Sequence, residues 1–167
     1  MLAFLKQCLK AFLIGVFLIV VTGTDAAEGT GAAAAPADDG LVKVRSAYPL
    51  DETVARLRAD IAAKGIRFFE AVDQSQLAAD AGIALRPSTL LVFGNPPLGA
   101  QFLTSNPYAG LDWPVRVLVV QDETGTVWAA YTDFAWIARR HHIADRDAQF
   151  AMAARVVESI TSTIRAH

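Results

Sequence analysis

"STLLVFGNPPLGAQFLTSNPYAGLDWPVRVLVVQDETGTVWAAYTDF", residues 88–134, decides the fold. Thr89–Phe93 is apolar on both alternating faces, the pattern of a central strand. The connection that follows contains Pro96, Pro97 and Pro107 and ends at Pro114, with Gly94, Gly99 and Gly110 between them. Asn95 directly before Pro96-Pro97 reads as a helix N-cap with proline in the first turn, where a missing N–H costs nothing. Leu98, Phe102 and Leu103 give that helix a short apolar face, and Asn106-Pro107 stops it. Pro114 opens the next strand, a position that tolerates proline. "PVRVLVVQD" (114–122) and "TVWAAYTDF" (126–134) flank Glu123-Thr124-Gly125, a hairpin with glycine for the positive-φ position.

Upstream, "LVKVRSAY" alternates, with Leu41, Lys43 and Arg45 on one face and Val42, Val44 and Ser46 on the other. "DETVARLRADIAAKG" predicts a helix with Val54, Leu57 and Ile61 on one face. Asp51 and Glu52 suit its first turn, and Gly65 ends it. "IRFFEAV" (66–72) is a strand. "DQSQLAADAG" (73–82) is a short helix with Asp73 as N-cap and Gly82 just past its end. Downstream, "AWIARRHH" (135–142) is a short helical stretch. A last helix from about Arg146 carries Phe150, Ala153, Ala154, Val157, Ile160 and Ile164 at spacings of three and four. The helices need a surface on which to bury these stripes. The expectation is an α+β two-layer domain: a five-stranded sheet, mainly antiparallel or mixed, with helices packed on one face.

Residues 1–26 read as a secretory signal peptide. Lys6 and Lys10 precede an uncharged apolar run, Ala11 to Val21, and Thr24 and Ala26 stand as the −3 and −1 positions of a cleavage site. The run is short against the roughly 20 apolar residues of a spanning helix. An uncleaved membrane anchor is the alternative. Residues 27–39, "AEGTGAAAAPADD", read as a flexible linker, and 40–167 as a single domain. The expected setting is periplasmic or secreted. Cleavage after Ala26 leaves 13 basic and 16 acidic residues, from 15 and 17, without Lys6, Lys10 and Asp25. Such a balance argues against nucleic-acid partners. The single cysteine, Cys8, would be lost too, which excludes disulfides, thiolate catalysis and Cys-ligated metals from the mature chain.

Several spaced motifs resemble the bacterial and archaeal family known as domain of unknown function 302. They are Arg86-Pro87, Phe93-Gly94-Asn95-Pro96 with the following Gly99, Leu111-Asp112-Trp113-Pro114, Val127-Trp128 leading to Tyr131, and Arg140-His141. The resemblance runs from about residue 41 to 143 and implies a compact α+β fold without supplying an activity. Family members often carry an Asp-His pair at the start of the short second helix; here Asp73 is followed by Gln74.

Asn95 has two readings, a helix cap or an amide that holds a ligand. His141 and His142 suggest a metal, yet adjacent helical residues project about 100° apart. Asp145 would be a second ligand only if the helix continued, and a third would come from Asp112 or Asp133; no metal or cofactor is expected. Tyr131, Trp113 and Trp128 read as core aromatics or as a ligand-facing set. Asp122 and Glu123, at the hairpin tip, should be solvated. Two functions follow, from different classes. One is a non-enzymatic exported domain that binds a small molecule or protein partner through Asn95, Asp112, Tyr131 and His141. The other is a cofactor-independent hydrolase with His141 as general base and Asp112 or Asp133 orienting it. The first is preferred because neither a nucleophile motif nor a ligand set for a metal is visible. Self-association is left open.

Overall fold

The computed structural model describes residues 39–166, so the expected leader and most of the expected linker lie outside the described residues. Among the described residues, five strands and five α-helices follow one another in the expected order. They are β1 (Leu41–Arg45), α1 (Leu50–Ala63), β2 (Arg67–Asp73), α2 (Gln74–Asp80), β3 (Ser88–Gly94), α3 (Pro96–Ser105), β4 (Val115–Gln121), β5 (Val127–Thr132), α4 (Phe134–Arg140) and α5 (Asp147–Ser162). A 3-10 turn, Pro107–Leu111, links α3 to β4. The strands form one sheet in the order β1-β5-β4-β3-β2, and all four pairings are antiparallel. β2 to β5 are consecutive neighbours. α1 carries the chain from the β1 edge to the opposite edge.

One sheet face is covered. Register aligns Val44 with Ala129, Ala129 with Val119, Val117 with Leu91, and Phe93 with Val115. Leu91, Phe93, Val117, Val119 and Ala129 are buried beneath the helices. α1 supplies Leu57 and Ile61, and α5 supplies Phe150, Val157 and Ile160. Phe102 of α3 stacks on Phe150 at 4.2 Å between ring centroids. α2 is the exception among the helices: it buries no residue and lies beside β3, with Gln74 Oε1 accepting from the Ser88 hydroxyl at 2.7 Å. Among the described residues no helix is long and apolar enough to cross a membrane.

Local chemistry accounts for most boundaries. Asn95 caps α3, its Oδ1 accepting from Leu98 N at 3.2 Å, with proline in the first turn. Asp73 caps α2 through Gln76 N at 2.9 Å, and the Ser75 hydroxyl and that N–H hold its carboxyl below the ordinary value. Gly65, Gly82 and Gly125 all take positive φ.

Four local expectations need correction. In α1 the fully buried position beside Leu57 and Ile61 belongs to Thr53, while Val54 is only partly buried. The Thr53 hydroxyl tolerates burial because it bonds Pro49 O at 2.9 Å and Ser46 Oγ at 2.6 Å. α4 ends at Arg140, two residues early. His142 has φ 52, and Ile143 N then bonds Ala138 O at 3.0 Å, so the chain turns back and buries Ile143. β2 contains a bulge between Phe68 and Glu70, which strict alternation in "IRFFEAV" does not anticipate. Asp122 is engaged at the hairpin: Oδ1 accepts from Thr124 N and Oγ1 and from Thr126 N, and Oδ2 from Trp128 Nε1 at 2.8 Å. The Thr124 hydroxyl, followed by the Trp128 indole, pulls its carboxyl down to about 2.

Candidate functional site

Three of the sequence motifs converge at one end of the sheet. Gly94 closes β3, Gly99 lies in the second turn of α3, and Trp113 precedes β4 through a cis peptide bond to Pro114. The Trp113 indole lies flush against both glycines. A Cβ on Gly99 would stand 1.9 Å from Trp113 Nε1, and one on Gly94 would stand 3.2 Å from the same atom. These glycines are therefore required by the approach of an aromatic ring, not by their own backbone angles.

Beside Trp113 is a cavity of about 340 Å³ between the sheet end, α3 and α5. Phe93, Leu98, Phe102, Val115 and Val156 supply apolar wall, while Asn95 and Lys64 are its uncharged-polar and basic groups. Phe69 meets Trp113 edge-on, with centroids 6.3 Å apart and planes at 80°. The β2 bulge interrupts strict alternation at Phe69. Phe69 and Met152 remain 40% and 50% exposed. A cavity of this size and lining is within the ordinary range for small-molecule sites. A larger, shallower groove of about 840 Å³ runs between α4 and α5, bordered by Ala138, His142, Ile143 and Ala151.

Asp112, one residue before Trp113, belongs to a different arrangement. Its Oδ2 lies 2.6 Å from His141 Nε2, and both side chains are buried. Arg140 Nη1 reaches the same carboxylate at 3.1 Å and Arg116 Nη2 at 3.3 Å. Arg116 also donates to the Leu111 carbonyl. Asn106 Nδ2 donates to the His141 carbonyl at 2.8 Å while its Oδ1 accepts from Tyr108 N. The second Asn-Pro step thus ties the end of α4 to the loop that presents Trp113. The void bordered by Asp112 and Tyr131 measures about 20 Å³, room for about one water molecule.

The candidate residues therefore separate. Asp112 and His141 meet, and Asn95 stands on the cavity wall while serving as a cap. Asp133 is not the partner of His141: its Oδ1 caps α4 by accepting from Trp136 N at 2.7 Å. Tyr131 is half-buried on the covered face, where burial pushes its phenol up against a lowering interaction with Thr161. Trp128 is taken by Asp122, so Trp113 is the only one of the three aromatics on the cavity wall. Asp145 bonds Ser105 and Arg146, away from the histidines, because α4 does not continue. Among the described residues no group of three or more His, Cys, Asp or Glu side chains is placed to hold a metal ion. Sequence reasoning missed Phe69, Lys64 and Met152. The paired phenylalanines of β2 were the one available signal, since alternation must send two adjacent residues to opposite faces unless a bulge intervenes.

An antiparallel five-stranded sheet layered by helices, with an apolar cavity at one sheet end, defines a two-layer α+β domain. The chain belongs to the family described as domain of unknown function DUF302, whose profile matches residues 42–166. The solved structure of an uncharacterized conserved DUF302 protein from Bacillus stearothermophilus is similar, with a TM-score of 0.69 and 17% identity over 76% of this chain and 99% of that one. Relatives include fluoride-specific ion channel FluC 1 of Brucella suis, 39% identical over 106 residues, which is 64% of this chain and 42% of that protein. FluC 1 of Brucella abortus and FluC 2 of Brucella melitensis are also 39% identical over 106 residues, covering 64% of this chain and 39% of each. The chain spans about two fifths of the length of these relatives.

Proposed function

We propose that this domain is a non-enzymatic binding module that holds a small molecule in the cavity beside Trp113. The observation that carries this reading is the contrast between an apolar cavity of about 340 Å³ and a neighbouring polar cluster with room for about one water. A general base must reach a substrate. His141 is buried and spends Nε2 on Asp112, and the void beside that carboxylate excludes anything larger than water. The hydrolase reading is therefore the weaker one. The Lys-flanked apolar run at residues 6–21 supports action outside the cytoplasm. The FluC-named relatives extend to more than twice the matched stretch, which supports a module that also works joined to other sequence. Fluoride transport is not part of this proposal.

Mass spectrometry of small molecules released on denaturing the purified full-length protein tests the reading. An apolar species should leave the native protein and be absent from Ala153→Leu, which adds bulk to the cavity wall. Equal release from both proteins, or none from either, overturns it.

A further inference from the structure

Resting on that reading, we infer that the cavity selects an uncharged ligand: an aromatic or aliphatic body with one hydrogen-bond acceptor, which the Asn95 amide holds at the rim.

Size comes first. An apolar cavity of roughly 150 Å³ accepts benzene. At about 340 Å³ this one has room for a bicyclic ring or an alkyl chain of similar bulk.

Charge is excluded by groups already engaged. Lys64 is the basic residue on the wall, and its Nζ lies 2.7 Å from Asp60 Oδ2. That oxygen is buried without a well-aligned hydrogen bond, so the ammonium is its compensation. A ligand carboxylate would have to compete with Asp60 for Lys64, and the Asp60 oxygen that faces the ammonium is buried with no hydrogen-bond partner to replace it. The start of α3 offers an anion nothing either. Pro96 and Pro97 have no N–H, Leu98 N bonds Asn95 Oδ1 at 3.2 Å, and Gly99 N bonds Asn95 O at 2.9 Å. A cationic ligand would lose its hydration against apolar walls with no unpaired acid on them.

One donor remains. Asn95 spends its side-chain carbonyl on the cap, and its Nδ2 meets no acceptor among the described residues. The residue is exposed at the cavity wall. A ligand carbonyl or ether oxygen replaces water there and anchors the apolar body beside Trp113.

Three naphthalenes of near-equal size separate these requirements: 2-acetylnaphthalene, 2-naphthoate and 2-isopropylnaphthalene, titrated into full-length protein at pH 7 by calorimetry. The ketone should bind about threefold or more tighter than the hydrocarbon, the return from one net hydrogen bond. It should bind about tenfold or more tighter than the carboxylate. Asn95→Asp keeps an N-cap oxygen but has no amide donor. In that variant the ketone should fall to the affinity of the hydrocarbon, with the melting temperature retained. A carboxylate that binds as tightly as the ketone overturns selection for neutral ligands. Equal binding of ketone and hydrocarbon to the native protein overturns the role of Asn95. Failure of all three to bind a protein with native circular dichroism overturns the binding reading itself, an outcome distinct from a wrong order among the probes.

Discussion

Asp112 and Trp113 are neighbours in the chain, and their side chains serve regions of opposite character. The Asp112 carboxylate is enclosed by His141, Arg140 and Arg116, so its lone pairs are used inside the protein. The Trp113 indole lies against two glycines and borders unfilled apolar volume. The first region contains the residue types associated with acid–base chemistry and has no space for a substrate. The second has space and almost no reactive groups. Reactive residue types are thus a poor guide here to where a ligand fits. Burial and hydrogen-bond satisfaction mark the Asp112 cluster as a latch that sets the position of Trp113.

The largest expected effect tests that latch. Asp112→Ala leaves His141 buried without its acceptor and removes the shared partner of two arginines. Leaving a buried polar group without its partner costs roughly 1–3 kcal/mol, and the upper part of that range, read as a lowered urea midpoint, is expected here. A variant with unchanged stability would show that the cluster is not holding the fold and would reopen it as a reactive site.

A smaller effect tests the other region. Alanine normally stabilises a helix by about 1 kcal/mol over glycine. At Gly99 the added Cβ meets Trp113 at 1.9 Å, and the ring must move. Gly99→Ala should therefore lower stability by about 1–2 kcal/mol, the range of an overpacked site. The tryptophan emission should shift to the red as the ring gains water. A gain in thermal stability would mean that Trp113 does not pack on α3.

The smallest effect concerns a carboxylate in neither region. Asp122 titrates at about 2, held down by donors from Thr124 and Trp128. Its folded value is below the unfolded value of about 3.9. The group therefore stabilises the hairpin above that value, and the contribution fades as the pH falls toward 2. The Trp128 indole N–H resonance should follow this titration. A midpoint near 4 would show that the hairpin bonds do not persist in solution.

The element order, the two faces of β1 and the caps at Asn95 and Asp73 were legible in the residues themselves. They depend on alternation, on three- and four-residue spacing and on the chemistry of a few consecutive residues. The fold class followed from the central strand and the hairpin for the same reason. The family marks around Gly94, Gly99, Trp113 and His141 could be named in sequence but not joined. His141 was paired with either of two acids; only the packing of α4 against the 3-10 turn brings Asp112 to 2.6 Å and leaves Asp133 as a cap. The bulge beside Phe69, the left-handed His142 and the cavity beside Trp113 were not legible either. The bulge and the cavity depend on residues distant in the chain, and a cavity is the volume that packing leaves over. His142 turns through the local bond of Ile143 N to Ala138 O, without the glycine or asparagine that usually marks such an end. Local pattern determined which elements form, and tertiary packing decided which of their polar groups are engaged and where space remains for a ligand.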